Sequence, residues 1–160
     1  MKQIVYFLLI FLFSFNLSAQ GKYDLVIVGG NPGGITAAIA AARMGKSSVI
    51  LERTAYIGGL PANGLGATDI ATRMATTGLF LEFVNRIKDH YVQTYGKDSQ
   101  QVKDCSDGYH FEPSVATKVF NEMLDEYKSK ITALTMRQFD SDPVNLDMYN
   151  DRIQCIRVLN

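Results

Sequence analysis

Apolar residues in this chain recur with two different periods, and the alternation between them lays out the elements. Leu25-Val26-Ile27-Val28 is a short continuous run rich in β-branched side chains, the pattern of a buried parallel strand. From Ile35 the period lengthens. Ile35, Ala38, Ile39 and Ala42 fall on one helical face, with small Ala37 and Ala41 between them, and Gly45 stops the helix. Ser48-Val49-Ile50-Leu51 returns to a strand pattern. Further along, Phe80, Phe83, Val84, Ile87 and Tyr91 predict an amphipathic helix that leaves Glu82, Asn85, Arg86, Lys88 and Asp89 outside. Another helix is expected from Glu112-Pro113-Ser114, where proline in the first turn costs no hydrogen bond. Its buried face is Ala116, Phe120, Met123, Leu124 and Tyr127. Ile131 to Arg137 then reads as a strand, and the alternating runs Val144–Met148 and Ile153–Val158 flank Asn150-Asp151, a hairpin signal. The expected class is therefore α/β: a Rossmann-like βαβ unit with a parallel sheet, followed by a hairpin.

Two stretches carry no period. Gly64 to Gly78 is rich in Gly, Ala and Thr, and reads either as a loop lying over a ligand or as a flexible surface loop. Tyr95 to Gly108 is polar and broken by Gly96, an excursion between elements.

The chemistry concentrates where the first strand meets the first helix. Gly29-Gly30-Asn31-Pro32-Gly33-Gly34 is a turn too tight for ordinary side chains. Its glycines let the backbone approach a phosphate, and the N–H groups and dipole of the following helix point at the negative charge. Glu52 lies 18 residues after Gly34 at the end of the second strand, where a carboxylate can accept both hydroxyls of an adenosine ribose. Asn31 stands where the G-x-G-x-x-G pattern has its second glycine. Asn tolerates left-handed backbone angles better than most residues, so the turn is expected to survive at the expense of the closest approach to the phosphate. Strand, turn, helix, strand and acid fall in the order that a dinucleotide site requires.

After five intervening residues Glu52 is followed by Gly58-Gly59, then by Leu60-Pro61-Ala62-Asn63-Gly64-Leu65-Gly66-Ala67-Thr68-Asp69. Asp24 through Gly59 resembles the FAD-binding segment of the two-dinucleotide-binding-domain flavoproteins. With its Gly-Gly-x-Pro-x-Gly fingerprint it is similar to their exported bacterial FAD-dependent oxidoreductases. The resemblance implies FAD as cofactor, with Gly29, Gly30, Asn31, Pro32, Gly33 and Gly34 around the pyrophosphate and Glu52 on the adenosine ribose. It places Arg53, Gly58 and Gly59 along the route toward the isoalloxazine, and the hairpin in a β-meander inserted into the FAD domain. Members of that family continue with a segment that closes over the flavin and then a substrate domain. This chain is accordingly expected to be a truncated, N-terminal portion, residues 22–160, of an oxidoreductase acting on an unknown small molecule. No residue is assigned as catalytic. Taken alone, residues 20–160 are expected to lack turnover and to be unstable or self-associating. A nicotinamide-binding domain, for which Glu52 would favour NAD over NADP, and a non-catalytic nucleotide-binding fragment are the alternatives.

The leader changes the setting. Lys2 precedes an apolar run of 12 residues, Ile4 to Phe15, shorter than the roughly 20 a membrane helix needs. Leu17-Ser18-Ala19 supplies a small-residue end, so residues 1–19 are expected to be a signal peptide cleaved after Ala19, with an uncleaved anchor as the alternative, and the protein periplasmic or secreted. Lys+Arg and Asp+Glu number 16 each; without Lys2 the balance is 15 against 16, a net of −1. Such a chain gives no electrostatic reason to bind nucleic acid or an anionic membrane. In an oxidising compartment Cys105 and Cys155 could bridge, but neither has redox or metal spacing. The isolated His110-x-Glu112 is too sparse for a metal site, and none is expected.

Overall fold

The computed structural model describes residues 21–159, so the expected signal peptide lies outside the described residues. Three parallel strands form the central sheet in the order β1 (Leu25–Val28), β2 (Ser48–Leu51), β3 (Ile131–Leu134). The register sets Val26 beside Val49 and Val49 beside Thr132. Strand β2, paired on both sides, is buried at every position. Strand β1 differs from the expectation of a buried strand. Among the described residues it pairs only with β2, which leaves Leu25, Val26 and Val28 exposed, Val28 by 62%. Its β-branched run reports strand propensity, while burial depends on neighbours that propensity does not supply.

Helix α1 (Pro32–Arg43) lies on the sheet through Ile35, Ala38 and Ile39, all fully buried. It ends as its sequence predicts. Gly45 takes φ +77°, and the Gly45 and Lys46 N–H groups donate to Ala42 and Ala41 carbonyls at 2.9 Å, closing the last turn. A short helix α2 (Gly59–Ala62) follows β2. The long helices α3 (Gly78–Tyr95) and α5 (Pro113–Asp125) complete the core. Phe83 of α3 stacks on Phe120 of α5 with ring centroids 4.4 Å apart, and Phe111 meets Phe83 edge-on. The expected buried faces are present except at their edges: Phe80 is half-buried, and Tyr127 is half-buried beyond the end of α5, which also buries Val115 and Val119.

The excursion between α3 and α5 is more regular than its polarity suggested. Ser99 Oγ accepts from Val102 N–H and starts a short helix α4 (Gln100–Asp104). Cys105 is buried behind it while Cys155 is exposed, and both are free thiols. The loop from Gly64 to Gly78 is tied down across its length. Phe111 N–H donates to Gly66 O, Thr68 N–H donates to Tyr109 O, and the Arg73 guanidinium lies 4.6 Å from the Tyr109 ring centroid.

Strand β3 stops at Leu134 rather than at Arg137, because Met136 adopts φ +53° and turns the chain around the end of β2. Beyond it a hairpin arm carries two nested antiparallel ladders. The inner one joins β5 (Leu146–Tyr149) to β6 (Arg152–Ile156), with a bulge between Asp147 and Met148. The outer one joins β4 (Gln138–Phe139) to β7 (Val158–Leu159). At its tip Asn150 and Asp151 take φ +46° and +58°, the left-handed pair that a two-residue hairpin turn requires.

Candidate functional site

The site is built at the carboxyl ends of β1 and β2, where an open parallel sheet offers its crevice. Gly29, at φ +104°, turns the chain out of β1 while its N–H still donates to Leu51 O. Gly34 allows the helix to sit on the strand: a Cβ there would lie 2.1 Å from the Gly29 carbonyl oxygen. Asn31 is the N-cap of α1, and its Oδ1 accepts from Gly34 N–H at 3.0 Å. Its backbone is extended, with φ −80° and ψ 174°, so the left-handed tolerance expected of Asn is not used. The residue serves through its side chain instead.

Glu52 is brought directly onto this turn. Its carboxylate, in a residue only 9% exposed, accepts from Gly30 N–H at 2.8 Å and from Thr54 N–H at 2.7 Å. Burial pushes the carboxyl up, but hydrogen bonds from Thr54 and Gly30, with Arg53 nearby, outweigh it and hold the group below its ordinary range. Glu52 is therefore ionised at neutral pH, with lone pairs left on both oxygens for further donors.

Gly58 and Gly59 close the turn from the other side. Gly58 N–H donates to Gly30 O at 2.7 Å, and a Cβ on Gly58 would lie 2.9 Å from the Phe120 ring. Gly59 has φ +59°, and a Cβ there would lie 3.0 Å from Asn31 Cβ. Residues 29–34, Glu52 and the Gly58-Gly59 pair thus form one cluster. Arg53 flanks it, exposed and without a hydrogen bond or ion pair among the described residues. Sequence reasoning missed Thr54, whose N–H fixes the second carboxylate oxygen. Its signal is only that it lies two residues beyond the acid.

The donor set fits a dinucleotide. Among the described residues the N–H groups of Asn31 and Gly33 have no hydrogen-bond partner, at the positive end of a 12-residue helix. The close packing at Gly30, where a Cβ would meet Ile57 Cδ1 at 2.5 Å, keeps the backbone bare. An apolar cleft opens beside the turn between Pro32, Thr36, Phe80 and Phe120. Among the described residues no ionisable group lines it.

Elsewhere, Glu112 does not join His110. Its carboxylate accepts from the Tyr91 hydroxyl, which in turn accepts from Glu112 N–H at 3.0 Å. Burial and Glu112 push the Tyr91 hydroxyl up to about 12. Among the described residues there is no group of three or more metal-ligating side chains, and no helix long and apolar enough to cross a membrane.

Comparison with known proteins bears on this geometry. A family model described as FAD dependent oxidoreductase matches residues 24–160. A soluble pyridine nucleotide transhydrogenase of Mycobacterium bovis (strain BCG / Pasteur 1173P2) is 50% identical over 42 residues, 26% of this chain and 9% of that protein. The mitochondrial dihydrolipoyl dehydrogenase of Schizosaccharomyces pombe is 40% identical over 52 residues, 32% of this chain and 10% of that protein. Among solved structures, the L-amino acid deaminase of Proteus vulgaris aligns with a TM-score of 0.51 at 16% identity, over 91% of this chain and 47% of that one. L-proline dehydrogenase from P. horikoshii aligns with a TM-score of 0.50 at 16% identity, over 86% and 49%. These structural likenesses concern the fold. The chain spans about half the length of the solved structures it matches and about a tenth of the curated relatives.

Proposed function

Since the chain belongs to the FAD dependent oxidoreductase family, we propose that it is the FAD-binding portion of an exported flavin-dependent oxidoreductase acting on a small molecule. FAD supplies the electron chemistry when bound. The chain's own residues bind and orient it. Asn31 and Gly33 N–H groups, with the dipole of α1, take the pyrophosphate. Glu52, already ionised, accepts the adenosine ribose hydroxyls. Gly58 and Gly59 press against the turn and give the cofactor a close path past Pro32 toward its ring end, with Arg53 at the exposed margin.

The observation that carries this reading is the bond from Gly30 N–H to the buried Glu52 carboxylate. On this reading it joins the phosphate turn to the ribose acid. Export rests on Lys2, the apolar run Ile4–Phe15 and Leu17-Ser18-Ala19.

The test is direct. Protein purified from an exporting host should carry or take up FAD, seen as flavin absorbance and quenched flavin fluorescence, and its mature amino terminus should begin after Ala19. NAD binding without flavin uptake would overturn the cofactor assignment. Retention of residues 1–19 in the cytoplasm would overturn export.

A further inference from the structure

We infer that Asn31 tunes the affinity of the dinucleotide site by occupying, in the unliganded protein, a helix N–H that a bound pyrophosphate would otherwise use. The inference rests on the reading of residues 29–34 as the pyrophosphate turn. The first turn of α1 has little to offer. Pro32 carries no N–H, and Ile35 N–H already donates to Asn31 O at 2.9 Å. Gly34 N–H donates to Asn31 Oδ1 at 3.0 Å, which leaves Gly33, among the described residues, as the one uncommitted donor of that turn.

The exposed side chain lies against three glycines. A Cβ on Gly59 would lie 3.0 Å from Asn31 Cβ, one on Gly33 3.2 Å from Oδ1, and one on Gly29 3.5 Å from the side-chain nitrogen Nδ2. Three glycines thus surround an exposed polar side chain on the face where the phosphate is received. The backbone angles at 31 need neither Asn nor Gly, so the residue is fixed by what its amide does. What it does is satisfy one of the helix's orphan donors. An anion arriving at the same donors must displace Oδ1 or settle for fewer hydrogen bonds. The cap therefore stabilises the empty protein and opposes loading.

The test compares Asn31→Ala and Asn31→Asp with wild type, using whole protein stripped of flavin. Two quantities are read: the melting temperature without ligand, and the FAD dissociation constant from quenching of flavin fluorescence. Asn31→Ala should melt lower when empty and bind FAD about threefold to tenfold more tightly, the size of a cap released to a ligand. Asn31→Asp keeps the cap but sets a negative charge against the phosphates. It should melt no lower than wild type and bind FAD at least about tenfold more weakly. The opposite signs in Asn31→Ala are the signature. Loss of both stability and affinity would make Asn31 merely structural. Unchanged melting with weaker binding would make its Nδ2 a direct phosphate ligand. Either result overturns the inference. Glu52→Gln separates it from the underlying reading: if that variant weakens FAD binding while Asn31→Ala does not tighten it, only the inference falls. If both leave binding unaltered, both fall.

Discussion

Replacing Glu52 by Gln changes one atom, yet the site predicts two separate losses. The carboxylate accepts Gly30 N–H through one oxygen and Thr54 N–H through the other. A Gln amide has one oxygen, so one of those N–H groups must face an NH2. The retained bond falls from charge-assisted to neutral, about 1 kcal/mol, and the abandoned donor, buried if it is Gly30 N–H and part-buried if it is Thr54 N–H, costs about 1–3 kcal/mol. Together that is about 2–4 kcal/mol of folding stability before any ligand is considered. In a domain of this size it lowers the melting temperature by roughly 6–16 °C.

The pH dependence gives the sign. Glu52 is held below its ordinary value, so its stabilisation is present above the unfolded pKa of about 4.3 and is lost as pH falls through the folded pKa. The gap between wild type and Glu52→Gln should be full at pH 7 and close progressively below about pH 4.3. In parallel, FAD binding at pH 7 should weaken by roughly tenfold to a few hundredfold, from the charge-assisted acceptor lost to the ribose. Thermal melting by circular dichroism from pH 3 to pH 8 checks the first part. A variant that melts with wild type at pH 7, or a gap independent of pH, would refute the role given to the carboxylate.

Gly34→Ala places a methyl group 2.1 Å from the Gly29 carbonyl oxygen, backbone that can yield only by lifting α1 off β1. Melting should fall by an amount equivalent to about 3 kcal/mol, with FAD binding weakened alongside. Tyr91→Phe removes a hydroxyl that serves both the carboxylate and the N–H of Glu112. It should cost about 1–2 kcal/mol in denaturant unfolding and leave FAD affinity untouched, since no part of the turn is involved. Asp151→Gly relieves a non-glycine φ of +58° at the hairpin tip. Amide exchange at Tyr149 and Arg152 should slow by a fewfold as the arm gains about 0.5 kcal/mol.

Much of this site is legible in the sequence because its parts are punctuated by glycine and by period. The run Leu25–Val28, the glycine turn, the stripe from Ile35 and the acid ending β2 each report a local requirement, and the structure assembles them in that order. What stayed hidden is what depends on contacts distant in sequence. The extended backbone of Asn31 follows from its cap on Gly34, a geometry that residue type alone leaves open. The exposure of β1 follows from sheet order, and sheet order is not a property of any one segment. The shortened β3 follows from Met136 turning so that its N–H reaches Thr54 O and Arg137 N–H reaches Glu52 O. The region from Gly64 to Gly78 left two readings open, because its anchors, Tyr109 and Phe111, lie some forty residues away.

The nested ladders of the hairpin arm separate length from position. Gln138 pairs with Leu159, and Asp140 N–H donates to Arg157 O, so the two ends of the arm lie side by side. Changes of length between them are expected to leave β3 in place. The stretch from Asp142 to Ile156 is thus a natural place to graft a tag, a fluorophore or a foreign loop, because a graft there would alter the silhouette of the protein and leave its nucleotide crevice where it was.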